Sequence, residues 1–110
     1  RLQQRESADV VRRYRADLER PYHSAWAGAA DGDVVLVEFF DYACGFCRTS
    51  NSDVDRLLRE DPRLKVVWRE LPVLGPDSEQ AAIASLAAAE AGKFVPFHEA
   101  LFEAGRPTPA

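Results

Sequence analysis

The chain has 110 residues and a formal net charge of −4; 46% of its residues are hydrophobic and 29% are charged. This length fits one domain, and the composition is ordinary for a globular protein. The charge gives no basic surface for nucleic acid or anionic membranes, and no apolar run reaches the ~18–20 residues of a membrane span, so we expect neither partner nor insertion.

The chain begins with RLQQRESADVVRR, which is charged and lacks the apolar segment of a signal peptide. Residues 1–20 are predicted to form an amphipathic helix that ends before Pro21. The residues on its apolar face are Val10, Val11, Tyr14 and Leu18. Such a narrow stripe suits two arrangements: the helix packs on its own domain, or it protrudes and associates with copies of itself.

Residues 21–33 are rich in Gly, Ala and Pro and contain the turn signal Asp31-Gly32. They are predicted to be a linker that leads into the domain core. His23 is predicted to be a surface or linker histidine, and Trp26 is predicted to fill a groove near the core.

Val34–Phe40 reads VVLVEFF, a pattern typical of a central strand that is buried on both faces in a parallel sheet. Glu38 interrupts this run, and a charged carboxylate is expensive to bury. Glu38 either escapes at the strand's edge or is a buried carboxylate with a raised pKa that relays protons during thiol exchange. We favour the second, because a strand ending at Phe40 places Glu38 only a few residues from Cys44.

The motif Cys44-Gly45-Phe46-Cys47 lies between this strand and a helical pattern that ends before Asp61-Pro62. The first N–H groups of a helix lack intrahelical partners and carry partial positive charge, so a sulfur held there is stabilised as the thiolate that attacks disulfides. The two intervening residues let the second sulfur reach back and close a disulfide. The motif therefore predicts dithiol–disulfide chemistry.

Two other interpretations of a CxxC pair are weaker. Zinc needs about four ligands, and only His23 and His98 accompany the thiols, without paired spacing. A purely structural disulfide would close a small ring and constrain the unfolded chain little. A zinc- or copper-binding thiolate module and a non-catalytic fragment that assembles through residues 1–20 remain as alternatives, and no cofactor and no bound metal are expected.

The second half of the chain is predicted to complete a βαβ unit and to add two helices. Residues 64–71, LKVVWREL, form the second, parallel strand. Residues 78–92 form an alanine-rich helix that Asp77 or Ser78 caps.

A last helix is predicted over residues 96–104, followed by a tail over residues 106–110. Its apolar face carries Phe97, Leu101 and Ala104, and His98 lies beside that face as a packed or surface histidine.

The segment EFFDYACGFC, residues 38–47, resembles the active-site segment of the DsbA-like branch of the thioredoxin superfamily. The loop LPVLGP with the alanine-rich helix after it, and the Phe97-His98 helix, resemble the same family. The resemblance implies an α/β fold: a thioredoxin-like βαβ half with the CxxC at a helix N-terminus, followed by the start of a helical insertion. Residues 34–110 would then be a partial DsbA-like domain that follows the N-terminal helix and the linker.

By this resemblance Cys44 is the exposed attacking thiol, Cys47 is the resolving thiol, and Glu38 is the buried carboxylate. Gly45 and Phe46 are the dipeptide that tunes the redox potential. The implied function is a thiol–disulfide oxidoreductase that forms or rearranges disulfides in exported proteins of the bacterial periplasm. Its partners would be protein or peptide thiols and disulfides and a membrane redox partner; oxidase, isomerase and reductase are not distinguished.

The family also has a cis-proline, two further strands and a closing helix, which this sequence does not display. Pro107 and Pro109 lie in the tail with no strand after them. We therefore expect an N-terminal portion of the domain with reduced activity of its own. Its open sheet edge, or the helix over residues 1–20, would let copies of the chain associate.

Overall fold

The computed structural model describes residues 2–108, which form four helices and three strands. Arg1 of the predicted N-terminal helix and residues 109–110 of the predicted tail lie outside this range. The elements are α1 Leu2–Glu19, β1 Trp26–Gly28, β2 Val34–Phe40, α2 Gly45–Glu60, β3 Leu64–Glu70, α3 Pro76–Glu90 and α4 Phe94–Glu103.

The predicted βαβ unit is present: β2 and β3 pair in parallel, with Val34 opposite Leu64 and Phe40 opposite Glu70, and α2 connects them. In the described part of the chain, however, β3 is the middle strand and β2 lies at an edge. The prediction that Val34–Phe40 is central is therefore wrong for these residues. The difference arises because β1 occupies the other side of β3.

A short strand lies within the segment that was predicted to be a linker. β1 pairs antiparallel with β3, from Trp26 opposite Val67 to Gly28 opposite Lys65. Gly28 has φ +94°, and a Cβ there would clash with the Leu64 carbonyl oxygen, so this position requires glycine. Three residues are too few to show an alternating pattern, which is why the sequence did not reveal this strand.

One hydrophobic core joins the sheet to the three helices that follow the cysteine motif. It is dominated by aromatic rings from both long strands and α4, which bury large apolar areas. Its buried members are Ala25, Phe40, Tyr42, Val54, Leu64, Val66, Trp68, Ala81, Ala89, Phe94 and Phe102. This core fixes the start of α2, and with it the two cysteines, on the sheet.

The last two helices begin earlier than predicted. α3 begins at Pro76 after Gly75, with no side-chain cap bond from Asp77 or Ser78, because proline is preorganised for the first position of a helix. α4 begins at Phe94 and buries Phe94, His98 and Phe102. The predicted apolar face of Phe97, Leu101 and Ala104 is therefore wrong. Because α4 starts earlier, the buried residues of the helix are Phe94, His98 and Phe102, which lie four positions apart.

The apolar stripe of α1 is largely exposed to solvent. Val10 is 55% exposed, and Val11 and Tyr14 are about as open, whereas Leu18 is half-buried. The Arg69 guanidinium of β3 donates to the last carbonyls of α1, including that of Leu18 at 3.1 Å. The end of α1 is thus attached to the sheet, and association of copies through its free stripe stays a prediction.

Within residues 2–108, no helix combines the length and apolar character that crossing a membrane requires.

Candidate functional site: the Cys44–Cys47 pair

Cys44 is the N-cap residue of α2. Its backbone is extended, with φ −81° and ψ 117°, and its Sγ accepts a hydrogen bond from the Cys47 backbone N–H at 3.2 Å. Its own N–H donates to the Asp41 carbonyl at 3.0 Å, which closes a turn before the helix. The sulfur therefore lies where the helix presents unpaired N–H groups.

The two thiols have opposite electrostatic environments. A hydrogen bond from the Cys47 thiol lowers the pKa of Cys44, and the backbone N–H groups of Cys47 and Phe46 lower it further. Burial raises the pKa of Cys47, and the bond from its thiol to the Cys44 sulfur raises it again. The two opposite shifts favour ionisation of the Cys44 thiol before that of Cys47.

The two residues between the cysteines face solvent. Phe46 is 89% exposed, and a side chain added at Gly45 would meet nothing within 4 Å. Neither side chain carries a charge, so the dipeptide acts on the pKa of Cys44 through the backbone N–H of Phe46. Both cysteines are free and half-buried.

Glu38 is half-buried on β2, on the same face of the strand as the core residue Phe40. Burial raises the pKa of its carboxyl group. Its charge in turn raises the pKa of Cys47, so the carboxylate and the second thiol interact electrostatically. Glu38 thus acts on Cys47 through its charge, while β2 itself lies at an edge of the described sheet.

Asp41 is a buried carboxylate beside the motif that the sequence analysis quoted but gave no role. Its Oδ1 accepts the Ala43 N–H at 2.8 Å, and its Oδ2 accepts the N–H groups of Val73 at 2.9 Å and Leu74 at 3.0 Å. Burial raises its pKa, but its hydrogen bonds outweigh that effect and leave the pKa below its usual range. The only sequence signal for this role is that an Asp side chain can accept the backbone N–H two residues later in a turn, which here is that of Ala43.

The sequence analysis also missed a buried hydrogen-bond network behind the motif. The Tyr42 hydroxyl lies 2.7 Å from Ser85 Oγ and 2.9 Å from His98 Nδ1, and His98 has no exposed surface. Burial raises the pKa of Glu70, which lies beside this network, to about 7. These residues come from three elements and a loop, so no local pattern could have joined them.

Arg48 links the motif to the last helix. Its Nε donates to the Phe102 carbonyl at 3.1 Å, and its Nη2 donates to the Tyr42 carbonyl at 3.2 Å. The guanidinium satisfies two backbone acceptors and packs α4 behind the start of α2.

His23 and His98 lie in different environments. His23 is exposed with φ 51°, and His98 is in the core. Over residues 2–108, no group of three or more His, Cys, Asp or Glu side chains is placed to hold a metal ion.

Most of this chain matches a known protein family and a curated relative. The family described as "DSBA-like thioredoxin domain" matches residues 35–108. A Na(+)/H(+) antiporter, NhaA 3 from Salinispora tropica, is 36% identical over 76 residues, which are 67% of this chain and 12% of that protein. The chain thus spans about an eighth of the length of this curated relative.

Several solved structures are similar to this chain. The thiol-disulfide exchange protein alpha-DsbA2 from Wolbachia pipientis has a TM-score of 0.86 at 24% identity, covering 98% of this chain and 58% of that one. A thioredoxin-like oxidoreductase from Silicibacter pomeroyi is 47% identical with a TM-score of 0.68, covering 70% of this chain and 44% of that one. The first structure is similar to this chain in fold alone, and the second is similar in both fold and sequence.

Proposed function

This chain belongs to the family of DsbA-like thioredoxin domains, and we propose that it exchanges disulfide bonds with exported proteins through Cys44 and Cys47. The observation that carries the proposal is the position of Cys44 at the N-cap of α2, where its Sγ accepts the Cys47 N–H at 3.2 Å. The pKa of Cys44 is lowered there, and that of Cys47 is raised. A thiolate at Cys44 can attack or leave, while Cys47 stays protonated until it is needed. Gly45 and Phe46 would set the potential through the accessibility of the sulfurs.

In the oxidising direction, a substrate thiolate attacks Sγ of Cys44 in the Cys44–Cys47 disulfide. The substrate–Cys44 bond forms, the Cys44–Cys47 bond breaks, and Cys47 leaves as a thiolate that takes up a proton. A second substrate thiolate then attacks the substrate sulfur of the mixed disulfide, and Cys44 leaves as its stabilised thiolate. The substrate loses two electrons and the cysteine pair gains them.

We further propose that Glu38 gives the proton to Cys47 when it leaves and removes it in the reverse reaction. Replacing Glu38 by Gln should slow exchange by about tenfold or more, because general acid–base assistance is lost. Stopped-flow rates against pH should lose the limb that Glu38 contributes. The exposed acid Glu60, replaced by Gln, is the matched control.

Removal of the Glu38 charge alone has a different signature. If Glu38 acts only through its charge, its removal would lower the pKa of Cys47, because that charge raises it. The part of the pH–rate profile that depends on Cys47 ionisation would then shift to lower pH, and the reaction would not slow. An unaltered pH–rate profile in the Glu38→Gln variant would therefore rule out the proton relay.

The redox titration of the chain tests the function itself. The chain is equilibrated in graded glutathione buffers, its thiols are trapped by alkylation, and their number is counted by mass. We expect an intramolecular disulfide, with a potential within the span of about 150 mV, or roughly 7 kcal/mol, that separates DsbA from thioredoxin. A potential near the oxidising end supports an oxidase or isomerase, and one near the reducing end supports a reductase. Thiols that never pair with each other would overturn the proposal.

The proposed location is the bacterial periplasm, with a membrane redox partner that restores the working oxidation state. Disulfides form and persist in such oxidising compartments, so an enzyme that makes or rearranges them has its substrates there. The polypeptide substrates would be exported proteins with paired cysteines.

A further inference from the structure

Trp68 carries a buried donor that has no acceptor. The residue is 2% exposed, and its Nε1 has no hydrogen-bond partner within residues 2–108. An indole N–H can only donate, and buried tryptophans usually find an acceptor for it. Because an unpaired buried donor costs folding free energy, this N–H calls for an explanation.

Glu38 lies directly across the sheet from Trp68. The two residues are partners in the parallel register of β2 and β3, so their side chains leave the same face of the sheet. Burial raises the pKa of Glu38, and the Trp68 N–H, which would bond to the ionised carboxyl group, acts in the opposite direction. A donor without a partner is thus paired in register with a half-buried group that gains an acceptor charge when it ionises.

The last helix holds the indole ring in this position. The centroid of the Trp68 ring lies 5.5 Å from that of Phe94 and 4.9 Å from that of His98. Both of these residues are on the buried side of α4. A ring packed in this way has little freedom to turn, so the direction of its N–H is fixed by the core.

Titratable groups surround this pair on three elements. Cys47 on α2 interacts with the Glu38 charge, which raises the pKa of Cys47. Glu70 lies two residues beyond Trp68 on the same face of β3. His98 packs on the indole from α4, and burial lowers its pKa to about 3. Glu38 therefore interacts with a neutral donor on β3 and with the second thiol on α2.

We propose that Trp68 is a positioning residue for Glu38: its indole N–H donates to the carboxylate that remains when Glu38 has given its proton to Cys47. The inference rests on the proposed function. In this step the proton leaves a Glu38 oxygen and joins the Cys47 sulfur, and no electrons are exchanged. The new hydrogen bond stabilises the charged form of Glu38, so Glu38 is a stronger acid than its burial alone would allow.

Replacement of Trp68 by phenylalanine tests this role, because it keeps an aromatic ring in the core and removes the donor. We expect the ionisation constant of Glu38 to fall about tenfold, as for the loss of a hydrogen bond to a charged acceptor. NMR of the glutamate carboxyl carbons follows the titration in a Cys47→Ser background, which removes the thiol that interacts with Glu38. Trp26→Phe removes the other indole, on β1, and should leave the Glu38 titration unchanged.

A second measurement does not require that Trp68→Phe folds. In the same Cys47→Ser background, the NMR signal of the Trp68 indole N–H should move as Glu38 ionises. The midpoint of this movement should equal that of the Glu38 carboxyl titration. In Glu38→Gln the movement at this midpoint should disappear.

The exchange reaction gives the readout that a purely structural role would not change. In the chain with both cysteines, the part of the pH–rate profile that depends on Glu38 should shift to higher pH in Trp68→Phe, by the same factor of about ten. A slower reaction with an unshifted profile would make Trp68 purely structural and would overturn the inference.

The NMR results and the exchange assay fail separately. An unchanged Glu38 titration in Trp68→Phe, or an indole signal that does not follow Glu38, would overturn this inference alone if the unmodified chain still exchanges disulfides. If the unmodified chain exchanges no disulfide, the proposed function fails, and the role of Trp68 in exchange fails with it.

Discussion

Replacement of Cys44 by serine is expected to abolish disulfide exchange, with a loss of at least about a thousandfold in rate. A serine hydroxyl is not ionised at neutral pH and cannot form a disulfide, so neither the first bond nor the leaving group remains. The N-cap geometry should survive, because serine accepts the Cys47 N–H that the Cys44 sulfur accepts at 3.2 Å. Exchange is measured by alkylation and mass after mixing with a peptide disulfide.

Replacement of Cys47 by serine should give a different result. Cys44 can still attack, but no second thiol releases the product, so a mixed disulfide of chain and substrate should accumulate. Its mass identifies Cys44 as the linked residue after proteolysis. Exchange that persists in Cys44→Ser, or a mixed disulfide on Cys47 in the unmodified chain, would contradict the assignment of the attacking thiol.

The largest expected effect on stability comes from His98. Burial lowers the pKa of His98 to about 3, whereas an exposed histidine titrates near 6.5. Rings of Trp68 and Phe94 lie about 5 Å from the imidazole, and its Nε2 has no hydrogen-bond partner among residues 2–108. The imidazolium ion would therefore lose its hydration inside an aromatic core.

The sign of the pH effect follows from which state binds the proton. Below about pH 6.5 the unfolded chain takes up a proton on His98 and the folded chain does not, so folding stability falls as pH falls. The loss continues towards pH 3 and reaches at most about 5 kcal/mol. Glu70 has the opposite effect on stability. Its pKa is raised from 4.5 to about 7, so the folded chain binds a proton on Glu70 before the unfolded chain does, and this contribution to stability rises as the pH falls from about 7 to 4.5.

Comparison with a His98→Phe variant isolates the histidine, since Glu70 is unchanged in both proteins. In that variant the Tyr42 hydroxyl should keep Ser85 Oγ as its partner, which lies 2.7 Å away in the unmodified chain. Urea unfolding at about pH 7.5 and about pH 4.5 should show that the unmodified chain loses about 2–3 kcal/mol more than the variant.

The control for this comparison is His23→Asn at the exposed position, where asparagine tolerates the observed φ of 51°. It should retain the acid sensitivity of the unmodified chain. Equal acid losses in the unmodified chain and His98→Phe would contradict the buried neutral histidine.

Much of the fold could be predicted because its signals are local. The apolar run of Val34–Phe40, the helical pattern after the cysteines and the second strand were each found close to their observed bounds. β1 was missed because three residues carry no period, and the start of α4 because Phe94 lies before the proline that was taken as the boundary. β2 lies at an edge because β1 pairs with the other side of β3. The sequence of β2 itself carries no information about that pairing.

The sequence by itself was enough to predict dithiol chemistry, since two cysteines at a strand-to-helix junction define a helix N-cap and its N–H groups by short-range geometry alone. Only the tertiary structure decided the roles of the surrounding groups. The depressed Asp41 and raised Glu38 pKa values, and the burial of His98, depend on contacts between residues distant along the chain. The physical reason is range: helix and strand patterns follow from neighbours within a few residues, whereas desolvation and buried hydrogen bonds depend on how separate elements pack.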